Sequence, residues 1–335
     1  MSAIMDTPRP ELRWAVVGTG FISGAISEDL GLVSGARRYA VCSRSLDSAN
    51  AFAAKHGFTV AYASLPNLLA DEKVEAIYIA TPHSTHAEIA IAALRAGKHV
   101  LVEKPLAVNL AEGRAIAAAA AESGKFAMEA MWMRFNPAYT GFVASARSGL
   151  IGDVMSVRAS FGLPFDRPDS ARWSAAKASS TLLDQAIYPV TLAFDVLGRP
   201  TRIRAEGRIR NDGVDLSEHF TFEYDDGRFA QLSASMVEFI EPTASISGTE
   251  GWITLPAPFW AATEFETRTG GIAKALTEPV LVRHERRGNG YVPMLDAVTE
   301  AIRHGRREHA IHPLSESISI LNVLDRIRAA MTVNA

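Results

Sequence analysis

Leu12-Arg13-Trp14-Ala15-Val16-Val17-Gly18-Thr19-Gly20-Phe21-Ile22-Ser23 is the stretch on which the fold turns. Its first six residues read as a buried strand, and the two glycines that follow permit a tight turn and close approach of the backbone to a ligand. The next residues open a helix, whose first N–H groups point at the same place. Strand, Gly-x-Gly and helix in this order form a cradle for the pyrophosphate of a dinucleotide, with Gly18, Thr19, Gly20, Phe21 and Ile22 as its contact residues. The third fingerprint position holds Ser23, small enough to let helix lie against strand. A purely structural turn can share so short a pattern, so the rest of the chain has to decide.

Beyond that loop, strands and helices alternate. Arg38 to Cys42 is a second strand, and Ser43-Arg44-Ser45 leads into a helix through Ala54. Ser43 lies 23 residues after Gly20, about where an NAD site places an acid on the ribose 2′-hydroxyl. A hydroxyl and a guanidinium there suit a 2′-phosphate instead, which predicts NADP with NAD as the other possibility. Arg44 also reads as a solvated arginine at a helix start.

Val74 to Ala80 is a near-continuous buried strand, and Thr81-Pro82-His83-Ser84-Thr85-His86 runs from its tip into a helix ending at Gly97. Polar groups at that tip fall beside the cofactor's ribose and nicotinamide. His83 and His86 have the chemistry of metal ligands, but with no third soft or acidic ligand spaced nearby no metal is expected.

Val100-Leu101-Val102-Glu103-Lys104-Pro105 is a β-branched run that ends on a charged pair, with proline fixing the exit. Strand tips of this kind are where open parallel sheets bind ligands. Lys104 is therefore the leading catalytic candidate, as proton donor, pKa tuner or clamp on a developing alkoxide; the alternative is an exposed ion pair at a strand end. A helix from Leu110 to Ser123, a stop at Gly124 and a strand from Phe126 to Ala130 complete a parallel, doubly wound sheet over residues 1–131.

From residue 132 to 335 the pattern changes to strand-length runs with turn signals: Val154 to Phe161, Ile203 to Ile209, His219 to Tyr224, Phe229 to Val237, Ala244 to Ser247 and Trp252 to Leu255. Asp225-Asp226-Gly227 is a hairpin turn between two of them. This reads as a second, α+β domain on a large, open-faced, mostly antiparallel sheet. One helix interrupts it, from Thr181 or Leu182 to Leu197. Asp184 and Tyr188 stand four apart on its one face, and Pro189 should bend it. An ammonium near that tyrosine would lower its phenol toward useful range, making Lys104, Asp184 and Tyr188 a proton relay; the other reading is a surface aspartate and a half-buried core tyrosine.

The 335 residues carry 48% hydrophobic content, enough for two cores, and a net charge of -3 that offers no bulk attraction to nucleic acid or anionic membrane. A small-molecule partner is expected. One cysteine, Cys42, excludes an internal disulfide and fits a reducing cytoplasm. Residues 1–10 read as a loose terminus, and no apolar run reaches the ~18 residues of a membrane span.

Taken together, Gly18-Thr19-Gly20, Thr81-Pro82 with His86, Glu103-Lys104-Pro105, and Leu183-Asp184 with Tyr188-Pro189 resemble the Gfo/Idh/MocA family of NAD(P)-dependent oxidoreductases. Met128 to Pro137 is similar in particular to its dimeric dihydrodiol dehydrogenase branch, which also includes D-xylose dehydrogenases. The resemblance implies a Rossmann domain followed by a sheet often used for dimerisation, hence a homodimer or higher homo-oligomer. It implies catalysis by Lys104, Asp184 and Tyr188. It adds Thr81, Pro82, His86, Glu103 and Arg134 to the cofactor site beside Ser43 and Arg44, and lines the substrate pocket with Trp132, Phe161 and Trp260, residues that could otherwise be core aromatics. The chain departs from the family at Ala178-Ser179-Ser180-Thr181, where relatives are glycine-rich, and at Asp184-Gln185-Ala186, where they carry Asp-hydrophobic-Gly. The implied chemistry is hydride transfer at a secondary carbinol or ketone of a sugar, polyol or similar molecule, or of a trans-dihydrodiol or dicarbonyl. A reading of another class is a dinucleotide-sensing regulator on the same fold.

Overall fold

The computed structural model describes residues 11–165 and 173–333; the terminus at residues 1–10 lies outside the described residues. Six parallel strands form the first sheet: β1 (Leu12–Val17), β2 (Ala36–Cys42), β3 (Val60–Tyr62), β4 (Ala76–Ile79), β5 (His99–Glu103) and β6 (Ala127–Ala130). Their spatial order, β3-β2-β1-β4-β5-β6, reverses between β1 and β4. That reversal opens the crevice in which such sheets bind ligands. Register then decides which residues meet there. Val17 pairs with Ile79 and Ile79 with Val102, so Gly18, Ala80 and Glu103 leave the sheet side by side. Helices α1 (Phe21–Leu30), α2 (Leu46–His56), α3 (Leu65–Ala70), α4 (His86–Arg95) and α5 (Leu110–Ser123) make the crossovers. The strands carry buried residues on both faces, as covered parallel strands must.

Helix α6 (Pro137–Arg147) leads into the second sheet, of eight strands: β7 (Val154–Gly162), β8 (Arg202–Ile209), β9 (Asp215–Glu223), β10 (Phe229–Ser235), β11 (Ala244–Gly248), β12 (Trp252–Leu255), β13 (Glu264–Arg268) and β14 (Val280–Arg283). It is antiparallel except where β7 lies parallel to β10. The Asp225-Asp226-Gly227 turn joins β9 to β10, with Gly227 at φ 84°. Phe220, Phe222, Leu232 and Ala234 are buried toward α7 (Ile187–Leu197) and α10 (Leu314–Val333), while Arg158, Thr221, Gln231 and Ser233 form the other, polar face. Short helix α8 (Ile272–Thr277) and helix α9 (Val292–Arg303) lie between β13 and α10, α9 packing back on the first sheet's core. Strands β3, β13 and β14 have no counterpart in the sequence reading. Among the described residues no helix is long and apolar enough to cross a membrane. Cys42 is buried, and burial pushes its thiol up.

Candidate active site

Gly18 has φ +107°, and a Cβ there would come within 2.3 Å of the Ala80 carbonyl oxygen. Only glycine lets the tips of β1 and β4 lie so close. Gly20 precedes α1, and a Cβ on it would meet nothing within 4 Å. Helices α2, α5 and α6 are capped by the side chains of Ser45, Asn109 and Asn136, whereas α1 has no side-chain cap and no acid in its first turn. Its first N–H groups thus remain open to an anion, and these residues fit the pyrophosphate of a dinucleotide. Ser23 is buried under the loop, Phe21 is 88% exposed at its rim, and Ile22 faces the cavity. Thr19 Oγ1 and Ser43 Oγ lie 3.4 Å apart at the β1 and β2 tips, with Arg44 exposed next to them.

Beside this loop is a cavity of about 350 Å³. Lys104, at the tip of β5, reaches across to a residue 80 positions later: its Nζ donates to Asp184 Oδ1 at 2.6 Å and to the Asp184 carbonyl oxygen at 2.7 Å. Asp184 sits in a wide, π-type turn over Leu182–Ala186 that continues into α7. Pro189 offers no N–H to the Gln185 carbonyl and its ring crowds it, so the distortion expected from this proline falls in the turn before it. Asp215 on β9 holds the entry to that turn, accepting from Leu182 N and Ser180 Oγ, each at 2.7 Å.

Tyr188 faces the same cavity. Its oxygen accepts from Trp132 Nε1 at 3.0 Å, and Lys104 Nζ lies 5.1 Å above its ring centre. The phenol is nonetheless not lowered on balance, as the sequence suggested it would be. Burial, then the Glu103 carboxylate, push Tyr188 well above the usual phenol range against the Trp132 hydrogen bond, with Asp184 adding to the push. Phe161 and Trp260 stack at 3.6 Å to form one wall, and Trp132 packs on Tyr291 at 4.9 Å.

Glu103 is buried behind Lys104, accepting from the Tyr78 hydroxyl and from Lys104 N; burial, opposed by Lys104, pushes it up to about 7. Thr81, Pro82 and His83 edge the cavity, where burial pushes His83 down to about 3 and keeps its ring neutral. His86 spans the carbonyl oxygens of Thr81 and Pro105 at 2.9 and 2.8 Å, bracing one strand tip against the next.

Arg134 is not brought to the cavity. Its guanidinium is buried against Asp195 at 2.7 Å, Glu316 at 3.6 Å and His312 Nδ1 at 2.6 Å. Because arginine only donates, His312 Nδ1 must accept, leaving its Nε2–H for Glu129 Oε2 at 2.8 Å. Burial and Arg134 both push this imidazole down, so it is neutral. Glu129 Oε1 in turn accepts from Leu106 N, two residues past Lys104, at 2.8 Å.

The departures in the catalytic segment also find places. Ala178 adopts φ 55°, where glycine would be unstrained. Gln185 turns from the cavity and donates to the Leu163 carbonyl at 3.0 Å, fixing the chain after β7. Leu163, Lys177, Met236 and Tyr291 line the cavity without having been singled out as site residues. Gly290-Tyr291 offered the one cue, a small residue beside an aromatic.

Residues 12–131 match the NAD-binding Rossmann fold of the Gfo/Idh/MocA oxidoreductase family, and residues 144–254 match its C-terminal domain. Over 329 residues, 96% of this chain and 97% of the relative, the sequence is 35% identical to the trans-1,2-dihydrobenzene-1,2-diol dehydrogenase of Mus musculus. The Homo sapiens protein of that name is 34% identical over 328 residues, again 96% of this chain and 97% of the relative. Among solved structures, levoglucosan dehydrogenase in complex with NADH and levoglucosan superposes with a TM-score of 0.88 at 21% identity, over 97% of this chain and 98% of that one. A 3-ketoreductase from Actinomadura kijaniata in complex with NADP gives 0.84 at 24%, over 96% and 98%. These two likenesses concern the fold. On the sequence matches, the chain belongs to the Gfo/Idh/MocA family of nicotinamide-dinucleotide-dependent oxidoreductases.

Proposed function

We propose that this enzyme moves a hydride between NADP and the secondary carbinol carbon, or ketone, of a small sugar or polyol. The observation that carries the reading is the meeting of Lys104, Asp184 and Tyr188 in one cavity next to the uncapped N-terminus of α1. A bound dinucleotide supplies or accepts the hydride at its nicotinamide C4. Lys104 holds the substrate oxygen, Asp184 orients the ammonium, and Tyr188 exchanges the hydroxyl proton at Oη. Gly18, Thr19, Gly20, Phe21 and Ile22 form the pyrophosphate cradle, Thr81, Pro82, His86 and Glu103 surround the ribose and nicotinamide, and Trp132, Phe161 and Trp260 wall the substrate. Residues 1–131 serve the cofactor. Residues 132–335 serve the substrate and, through the polar sheet face, a homodimer or larger homo-oligomer. A lone buried cysteine supports a cytoplasmic setting.

The aromatic walls and the dihydrodiol dehydrogenases at 34–35% identity favour a second reading, a cyclic trans-dihydrodiol as substrate. Screening NADP+ reduction against aldoses, inositols and trans-dihydrodiols separates the two. No turnover with any of them would favour a regulator and sink both. For the cofactor, Ser43 and the exposed Arg44 support NADP; removing one charge-assisted contact costs about 1.5–3 kcal/mol, so Arg44→Ala should cut the preference over NAD tenfold or more. Equal titration affinities for the two dinucleotides in the unaltered protein would refute that preference.

A further inference from the structure

We propose that Trp132 is a positioning residue for the proton carried by Tyr188: its indole N–H turns the phenol's own O–H toward the cavity and steadies the oxygen when that proton leaves. The inference rests on the reading of Tyr188 as the acid/base.

The bonding leaves little choice. An indole N–H can only donate, so at 3.0 Å the Tyr188 oxygen must accept from it, and the phenol hydrogen is left to point elsewhere. The surroundings oppose a negative oxygen there, since Glu103 and Asp184 are both close enough to push the phenol up. Lys104 makes no hydrogen bond to that oxygen: its ammonium is bound to Asp184 and stands over the ring face. The indole is thus the donor the structure aims at that atom.

The indole is held for this task from two sides. Tyr291 packs on it, and Gly290, at φ +106°, would place a Cβ 3.0 Å from its ring. The loop bearing Tyr291 is fastened to α1 by Asp29, whose carboxylate accepts from Asn289 N at 2.7 Å and Tyr291 N at 2.8 Å. Two residues beyond Trp132, the buried Arg134 network fixes the other end of the same turn.

The test is a double-mutant cycle on the holoenzyme, with pH–rate profiles for Trp132→Phe, Tyr188→Phe and the pair. Hydrogen bonds to charged groups are worth about 1.5–3 kcal/mol, so Trp132→Phe should lower kcat roughly 10- to 100-fold and move the ionising limb up by about one pH unit or more. Cofactor affinity should stay within about twofold, and in the Tyr188→Phe background the second substitution should add about twofold or less. An equal loss in both backgrounds with an unmoved limb means packing alone and overturns the proposal. A Tyr188→Phe variant with an unaltered pH profile would instead sink the acid/base reading, and this inference with it. Should Trp132→Phe fail to fold, uniform 5-fluorotryptophan keeps the ring and acidifies the N–H. The limb should then move to lower pH, and an unmoved limb overturns the proposal.

Discussion

Two clusters of buried charge lie at the exits of the neighbouring strands β5 and β6, and they are built differently. Lys104 has three N–H groups; two go to Asp184, and the ammonium keeps its remaining donor on the cavity side. Arg134 is 4% exposed, with Nε, Nη1 and Nη2 all engaged by Asp195, His312 and Glu316. Both are cations paired with carboxylates in a low-dielectric setting. Charge and burial therefore do not mark the reactive group; a hydrogen-bonding position left facing a ligand-sized space does.

The largest expected effect tests the saturated cluster. Arg134→Ala leaves Asp195 uncompensated and strips His312 of its orienting donor, a change that typically costs 3–5 kcal/mol, read as a lower urea midpoint. Turnover per folded molecule should change far less. If Arg134→Ala melted like the parent but bound NADP poorly, the contrast would be wrong and the arginine would be a cofactor ligand after all.

Next in size, Lys104→Ala should lower turnover about 100- to 1000-fold while cofactor affinity holds, because the lysine acts on charge that develops only during the reaction. Its urea midpoint should move less than that of Arg134→Ala, since cavity water can reach Asp184. Normal turnover with the best substrate of the screen would remove Lys104 from the chemistry.

The smallest effect concerns the cavity-side imidazole. His83 is pushed from about 6.5 in the unfolded chain to about 3 by burial, so below 6.5 the unfolded state binds the extra proton. Stability from this group is complete above pH 6.5 and is lost as pH falls toward 3, by about 1.4 kcal/mol per pH unit at most. His83→Asn should therefore lose less stability than the parent between pH 6.5 and 4. Parallel losses would mean that His83 takes up a proton in the folded protein as readily as in water.

Much of the first sheet was legible because β1, β4 and β5 are nearly continuous apolar runs closed within three residues by glycine or proline, and that pattern has few other uses. In the second sheet β7 to β12 were visible as short runs of strand length set between turn signals such as Asp225-Asp226-Gly227. Strands β13 and β14 were not: Glu264-Phe265-Glu266-Thr267-Arg268 alternates charge with bulk, so that even with Gly270-Gly271 just beyond it the run does not read as an apolar strand. Lys104, Asp184 and Tyr188 were named from strand-tip chemistry, helical spacing and family likeness, but their electrostatics were not foreseeable. Whether Lys104 meets the Tyr188 oxygen or its ring face depends on a contact spanning 80 positions. Arg134 shows the same limit from the other side. Its neighbours in sequence suggested the cofactor, while its partners Asp195, His312 and Glu316 come from elements far along the chain.

The wide turn at Leu182–Ala186 has a consequence for how this site can change. A π-turn is in effect an α-helix carrying one surplus residue, and each residue of an α-helix advances the chain by about 100°. Deleting a single residue between Asp184 and Ile187, either Gln185 or Ala186, would restore an ordinary helix, leave the buried face of α7 in register, and swing Asp184 by that angle off Lys104. The carboxylate that holds the lysine thus depends on the length of the chain as much as on its identity, and a one-codon deletion would remove the ion pair while leaving both of its residues in the sequence.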